Sequence, residues 1–370
     1  MNDDSVFARR VTHAPPGSTQ AVHEVPGQAT ALPLVSVLMP IRNEEQVIRA
    51  ALEAVLTQDW PAEKLEVLVI DGRSRDGTRE AVAETAARHP QVRLRLLDNP
   101  HGFVPHGLNL GLAAARGSYI SRVDGHCLVA RDHLRRCFER MQTSQADNVG
   151  GLAFAVAETT KAQAIAAGVS SPFGVGGARF RHRNPKPGWV DTVFPGFWRR
   201  ETFELLGGFD EELVKNQDDE FNFRLQRAGG RIWLEPALKT LYKSRGSLRG
   251  LWRQYFEYGL YKVRVAQKHG GVARLRHLVP SLFVLALGVS LVAAAMTGVW
   301  WLALVMLGPY LLASCAASVM AARRSESGGR VVMWLPPVFA VLHLAYGLGF
   351  LRGLWRFRKY GLPFRWLRHG

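Results

Sequence analysis

From Leu278 to Ala322 forty-five consecutive residues carry no charged side chain, and from Val331 to Leu351 a further twenty-one carry none. A hydrocarbon core of roughly 30 Å is crossed by about 20 helical residues, and a chain in lipid must satisfy its backbone hydrogen bonds internally. The chain is therefore expected to end in transmembrane helices below a polar head. The first stretch is twice the length of one span, and Thr297-Gly298 near its middle marks a turn, so a helical hairpin is predicted there. The second stretch contains Pro336-Pro337, which removes two backbone donors, and it is expected either to form a third span or to bend into a re-entrant segment.

The formal net charge of +16 is not the signature of a nucleic-acid-binding domain, because the basic residues flank the apolar stretches. Arg274 and Arg276 precede the hairpin, Arg323, Arg324 and Arg330 follow it, and Arg352, Arg356, Arg358, Lys359, Arg365 and Arg368 form a basic tail over 352–370. Trp355, Phe357, Tyr360, Phe364 and Trp366 interleave with the tail charges, as interfacial residues do. The expected partner is anionic membrane lipid, with no nucleic acid. Residues 1–32 are polar and rich in Pro and Gly, without the apolar core of a secretory signal. They are expected to be disordered and to leave the head on the cytoplasmic side of a multi-pass inner-membrane protein. Three full spans would then place the basic tail opposite the head, which conflicts with the positive-inside rule. Cys127, Cys137 and Cys315 provide neither a disulfide framework nor a zinc-ligand spacing.

In the head, strand and helix patterns alternate, predicting an α/β fold with a mostly parallel sheet flanked by helices. Val35–Met39 reads as a first strand ended by Pro40, with Asn43-Glu44-Glu45 opening an amphipathic helix that carries Val47, Ile48, Ala51, Leu52 and Val55. A second strand over Leu65–Ile70 stops at Asp71-Gly72-Arg73-Ser74-Arg75-Asp76-Gly77-Thr78. Strand ends in open α/β sheets are where ligands bind. Asp71 is suited to accept from a base or ribose, and Asp76 to cap the next helix. A short helix closing at Gly117 precedes a strand over Tyr119–Val123.

Two acidic clusters carry the chemistry. Asp124-Gly125-His126 follows the Tyr119 strand, whose extension places Asp124 and His126 on one side, able to reach one divalent cation. His126 can serve as a direct ligand, which favours manganese over magnesium, or act through water. The second cluster, Gln217-Asp218-Asp219-Glu220, opens a helix continued by Phe221, Leu225 and Ala228 and ended by Gly229-Gly230. Asp218 then lies in the first turn, where it can act as a general base. A metal–diphosphate site followed by a base suits a transfer in which a nucleotide diphosphate leaves as a hydroxyl loses its proton.

The order of these motifs resembles family 2 glycosyltransferases of the GT-A fold over about residues 34–265. The opening strand through Pro40 with Asn43-Glu44, the Asp71-Gly72 loop with Ser74 and Asp76-Gly77-Thr78, Asp124-Gly125-His126 in place of Asp-x-Asp, Gly207-Gly208-Phe209-Asp210-Glu211, and Gln217-Asp218 with Arg224 carry the likeness. The Asp-x-His variant, Ser171-Pro172-Phe173-Gly174-Val175-Gly176-Gly177 and Asn216–Asn222 resemble the ExoA-like group of succinoglycan and other exopolysaccharide pathways. The resemblance implies an inverting transfer from a UDP-sugar to a lipid-linked saccharide, with Asp218 as catalytic base. It also implies a nucleotide-sugar site at Pro40, Glu44, Asp71 and Asp124, and Mn2+ or Mg2+ at Asp124 and His126. A polyprenyl-monophosphate glycosyltransferase and a catalytically silent nucleotide-sugar-binding scaffold are the alternatives.

No Gln-x-x-Arg-Trp motif follows the base, so a single addition is expected rather than processive synthesis. Domain limits are expected at 33–246 for the GT-A catalytic domain, 247–277 for an amphipathic membrane-interface segment and 278–351 for the transmembrane region. The interface segment sets Leu248, Leu251, Trp252, Tyr255, Phe256, Tyr258 and Tyr261 among basic residues, as a helix on a bilayer surface does. The glycines of Phe173–Gly177 lack dinucleotide-fingerprint spacing; the loop reads as a mobile flap or a plain connection.

Overall fold

The computed structural model describes residues 32–182, 185–243, 246–271 and 275–361. All but the last residue of segment 1–32 lies outside them, as do Arg274 and the tail residues Phe364, Arg365, Trp366 and Arg368. The elements follow in the order β1 (Val35–Ile41), α1 (Ile48–Leu56), β2 (Leu65–Asp71), α2 (Thr78–Ala87), β3 (Arg93–Asp98), α3 (Val104–Ala114), β4 (Tyr119–Arg122), β5 (Cys127–Val129), α4 (His133–Ser144) and β6 (Asn148–Val156). Then come α5 (Thr160–Val169), α6 (Pro172–Val175), β7 (Gly188–Val190), β8 (Gly196–Arg199), α7 (Arg200–Leu206), α8 (Gln217–Arg227) and β9 (Ile232–Lys243). The chain continues through α9 (Leu248–His269), α10 (Val279–Thr297), α11 (Trp301–Arg324) and α12 (Leu335–Arg356).

The chain divides into two compact units. The first takes residues up to Gly151, Pro187–Phe209 and Phe221–Leu238; the second takes Leu152–Lys186, Asp210–Glu220 and the chain from Lys239 onward. The sheet runs β3-β2-β1-β4-β8-β6-β9-β5, with β7 beside β9. Its β3-β2-β1-β4 part is parallel and its β4-β8-β6 part antiparallel. Every residue of β1 and β2 is buried, as befits central strands covered on both faces. Leu38, Leu68, Ile70, Leu108, Ile120, Trp198, Phe203 and Phe221 build a core of the first unit.

β1 does not end at Pro40 but runs through it, with Pro40 in register with Ile70 and Ile41 with Asp71. Leu38 O accepts from Val123 N on the β4 side and Ile41 O accepts from Gly72 N on the β2 side. The missing Pro40 N–H would therefore point toward β4, whose pairing with β1 stops at Leu38, so no ladder bond is lost. The expected glycine cap of α3 does not form either: α3 ends at Ala114 and the chain leaves extended through Ala115. Gly117 serves close approach instead, its N–H donating to Ser36 Oγ at 2.8 Å.

In the second unit α10 and α11 are joined by a turn in which Gly298 takes φ +75°, where the sequence predicts the hairpin bend. Pro336 and Pro337 neither break nor kink α12. They occupy its first turn, where backbone N–H groups have no intrahelical acceptor to lose, so the helix is continuous to Arg356. Three helices are thus long and apolar enough to cross a membrane. Leu282, Leu285, Val289 and Val292 of α10 are all more than half exposed, an apolar surface that water does not favour. Buried residues of α5, α9, α11 and α12, among them Ile165, Leu251, Ala317, Val338 and Phe339, form this unit's core.

Candidate active site

In the first unit the loops that follow β1 and β2 are stitched together. Asn43, with φ +53°, donates its N–H to Ser74 Oγ at 2.9 Å and accepts from Arg75 N at 2.9 Å. Glu44 N donates to Thr78 Oγ1 at 2.8 Å and Glu45 N to Asp76 Oδ2 at 3.3 Å. These bonds hold residues 43–47 out of the helix, and α1 begins at Ile48 rather than at Asn43. Asp76 supports α2 from one residue before its cap, accepting from Thr78 N at 3.2 Å and from Thr78 Oγ1 at 2.5 Å. The Thr78 hydroxyl holds the Asp76 carboxyl below its ordinary range.

Asp71 ends β2 with a fully buried side chain. Its carboxylate accepts from Ser74 Oγ at 2.5 Å and from Arg79 Nη1 at 2.9 Å, and Arg79 also reaches Asp98 at 2.5 Å. Asp71 thus shapes the loop that presents Ser74 and Asp76. Pro40 is buried one residue before the end of β1.

Asp124-Gly125-His126 is a turn rather than a strand extension, closed by Cys127 N donating to Asp124 O at 2.9 Å. The two side chains are therefore not related by strand alternation. A Cβ on Gly125 would lie 2.6 Å from Ile41 Cγ2, so the turn lies close against the end of β1. Arg122 grips the Asp124 carboxylate through both oxygens, Nε to Oδ1 at 2.8 Å and Nη2 to Oδ2 at 3.1 Å, and is itself buried. His126 Nδ1 stands 2.9 Å from Glu44 Oε1. Glu44 and His126, both expected at the site, are brought together by the fold; the role of Arg122 carries no local sequence signal.

The second acidic cluster lies in the second unit. Asn216 takes φ +65°, its backbone carbonyl accepting from Glu220 N at 2.9 Å and its Nδ2 donating to Tyr258 O of α9 at 2.8 Å. Asp218 sits in the first turn of α8, as predicted, between residues fixed to α9. Lys262 pairs with Asp219, and His269 Nε2 meets Glu220 Oε1 at 3.0 Å. Arg264 and Lys268 bind Glu212, the first at 2.8 Å and the second at 2.9 Å, and Lys268 reaches Asp210 at 2.5 Å. The acidic segment 210–220 is therefore latched along α9 from Tyr258 to His269. In the first unit Arg224, further along α8, donates to the carbonyls of Leu206 at 2.5 Å and Gly208 at 2.7 Å. The helix ends as expected, with Gly229 at φ +88° and Gly230 N donating to Leu225 O.

The Phe173–Gly177 loop is packed rather than loose. Phe173 stacks edge-on against Phe339 and His343 with ring centroids 5.0 Å apart, and His343 Nε2 donates to Phe173 O at 2.8 Å. These contacts within the second unit anchor its start to α12.

Interlocked loops at the ends of β1 and β2, an acidic turn after β4 and a mixed sheet flanked by helices form an architecture of the GT-A kind. Residues 36–200 match the family model described as glycosyl transferase family 2. The chain is similar to succinoglycan biosynthesis protein ExoA of Rhizobium meliloti (strain 1021), at 31% identity over 87% of this chain and 96% of the relative. It is similar also to the dolichyl N-acetyl-alpha-D-glucosaminyl phosphate 3-beta-D-2,3-diacetamido-2,3-dideoxy-beta-D-glucuronosyltransferase of Methanococcus voltae, at 27% identity over 63% of this chain and 74% of the relative. Among solved structures, mannosyltransferase PcManGT of Pyrobaculum calidifontis, in complex with GDP-Man and Mn2+, shares the fold with a TM-score of 0.56 and 22% identity, covering 96% of this chain and 95% of that one. The chain belongs to glycosyltransferase family 2 and is a glycosyltransferase of GT-A fold.

Proposed function

We propose that the protein is an inverting glycosyltransferase that moves one sugar from a UDP-sugar to a polyprenyl-diphosphate-linked saccharide in exopolysaccharide biosynthesis. The observation that carries this reading is the attachment of the Asp218 segment to α9. That helix packs in turn on α12, one of the three helices of membrane-crossing length, so a base is built beside elements suited to a lipid-borne acceptor. The succinoglycan and dolichyl-phosphate activities named for the two relatives support a polysaccharide pathway and a lipid-linked acceptor. The catalytic domain, interface segment and membrane region are assigned to 33–246, 247–277 and 278–351, with the head on the cytoplasmic side of the inner membrane.

In this mechanism the Asp218 carboxylate takes the proton of an acceptor hydroxyl. The hydroxyl oxygen forms a bond to the anomeric carbon from the face opposite the diphosphate; the bond from that carbon to the phosphate oxygen breaks, and its electron pair leaves on UDP. Configuration inverts. Pro40, Glu44, Asp71 and Asp124 line the nucleotide-sugar side, with Asp71 acting through the loop it shapes.

Among the described residues no group of three or more His, Cys, Asp and Glu side chains is gathered for a metal ion. A hard divalent cation at a diphosphate needs only one or two protein ligands, the remainder coming from phosphate oxygens and water. The Glu44–His126 couple has the chemistry of a carboxylate-oriented histidine ligand, since donation from Nδ1 makes Nε2 the lone-pair nitrogen. His126 thus suits Mn2+ or Mg2+, and Asp124, whose two oxygens accept from Arg122, would join it by sharing one of them with the ion. When bound there, such an ion would supply charge stabilisation for the departing diphosphate.

The test is Asp218→Asn in membranes supplied with metal, a donor panel that includes UDP-glucose, UDP-galactose, their N-acetylated forms and GDP-mannose, and lipid-linked acceptor. Loss of a general base should slow transfer at least about a hundredfold while UDP binding, measured by titration calorimetry, is kept. A residual rate within about tenfold of the parent would instead indicate a phosphate acceptor, which needs little base catalysis. Nucleotide binding without transfer to any lipid extract would point to a scaffold.

A further inference from the structure

The segment after the Phe173 loop carries a cation that the reaction above leaves unused. A short 3-10 turn at Arg179–Arg181 places Arg181 in the second unit, partly buried, with Nη1 donating to Tyr242 Oη at 3.1 Å. Tyr255 and Tyr258 of α9 are close enough to act on it electrostatically. Among the described residues no carboxylate pairs with Arg181. Tyr255 does not neutralise it, because burial pushes that hydroxyl well above its ordinary range despite the neighbouring guanidinium. On the aromatic cluster that includes Tyr255 and Tyr258, Tyr346 Oη is buried with no hydrogen-bond partner among the described residues.

A cation partly withdrawn from water and left without an anion is costly, whereas a guanidinium beside phenolic hydroxyls presents the donors that phosphate oxygens accept. We propose that Arg181, with Tyr242 and Tyr258, binds the diphosphate of the lipid-linked acceptor. Nucleotide and lipid share diphosphate chemistry, and the surroundings favour the lipid. Arg181 follows a loop pinned to α12 through Phe173 and His343, and its charge is within electrostatic reach of Tyr255 and Tyr258 on the helix that packs on α12. Tyr258 is also the residue whose carbonyl fixes Asn216, two positions before Asp218. A diphosphate held there anchors the acceptor on the helix turn that positions the base. This inference rests on the acceptor reading above.

The experiment uses the full chain in phosphatidylcholine nanodiscs, with direct binding of undecaprenyl diphosphate, undecaprenol and UDP as probes, so that no turnover is needed. Arg181→Gln should weaken undecaprenyl diphosphate about tenfold or more and leave undecaprenol and UDP within about twofold, with Arg181→Lys restoring part of the loss. Tyr242→Phe, which removes one hydroxyl, should show a smaller loss of the same kind and serves if Arg181→Gln does not fold. Unchanged affinity for undecaprenyl diphosphate overturns the proposal; so does a loss that falls on UDP, or equal losses for undecaprenol. Binding of the lipid diphosphate that survives Asp218→Asn but not Arg181→Gln separates this site from the base assignment.

Discussion

Glu44 and His126 lie 82 positions apart in sequence and 2.9 Å apart in the fold, and each gives the other a reason to be there. The carboxylate sets which imidazole nitrogen carries the proton. Glu44→Gln keeps an acceptor but removes its charge, and the metal concentration for half-maximal transfer should rise about tenfold, as measured by manganese titration of activity. Asp124 is held differently, by the buried guanidinium of Arg122 two residues before it. The sequence marks Asp124, His126 and Glu44 as candidates because carboxylates and imidazole cluster at strand ends. It is silent on Arg122, since one Arg at the end of a buried strand looks like any other basic residue. Asp71 was legible as a strand-end acid, but its partners Ser74 and Arg79 depend on how the loop folds back.

At the scale of elements, α9 is engaged by two sets of partners. Its basic residues, which the sequence pattern turns toward lipid, include Lys262, Arg264 and Lys268, each paired with a carboxylate of the 210–220 segment. Its small and apolar residues meet α12 at close range. A Cβ on Gly349 would fall 2.1 Å from Phe256 O, and one on Gly259 would fall 2.0 Å from Tyr346 O. Gly349→Val should therefore force the two helices apart and cost about 1–3 kcal/mol, read as a lowered midpoint in thermal unfolding of the detergent-solubilised protein. Gly288, whose Cβ would meet nothing within 4 Å, is the matched control, and Gly288→Val should leave the midpoint nearly unchanged. The α12 prolines make the complementary point: their effect depends on the turn they occupy, and the pattern of uncharged residues does not mark where a helix begins.

For the molecule as a whole, acid stability has an identifiable source in the first unit. His133 is completely buried, and burial draws its imidazole from 6.5 down to about 4. The folded form holds it neutral while the unfolded chain takes the proton first. Its contribution to stability is therefore complete above pH 6.5 and is lost as pH falls from 6.5 toward about 4. Thermal midpoints followed by tryptophan fluorescence should decline over that window, and His133→Leu should flatten the decline whatever it does to the midpoint at neutral pH. Membrane-crossing length, the hairpin turn at Gly298, the alternating α/β pattern and the helix start at Gln217 were determined by the sequence alone. Each depends on neighbours within a few residues, through hydropathy, backbone preference or helix capping. Only the tertiary structure decided that Glu44 faces His126, that α9 latches the acidic segment, and that Arg181 lies among tyrosines. Those pairings join residues 82, 43 and 61 positions apart, and chain topology, not local propensity, brings such residues within hydrogen-bonding distance.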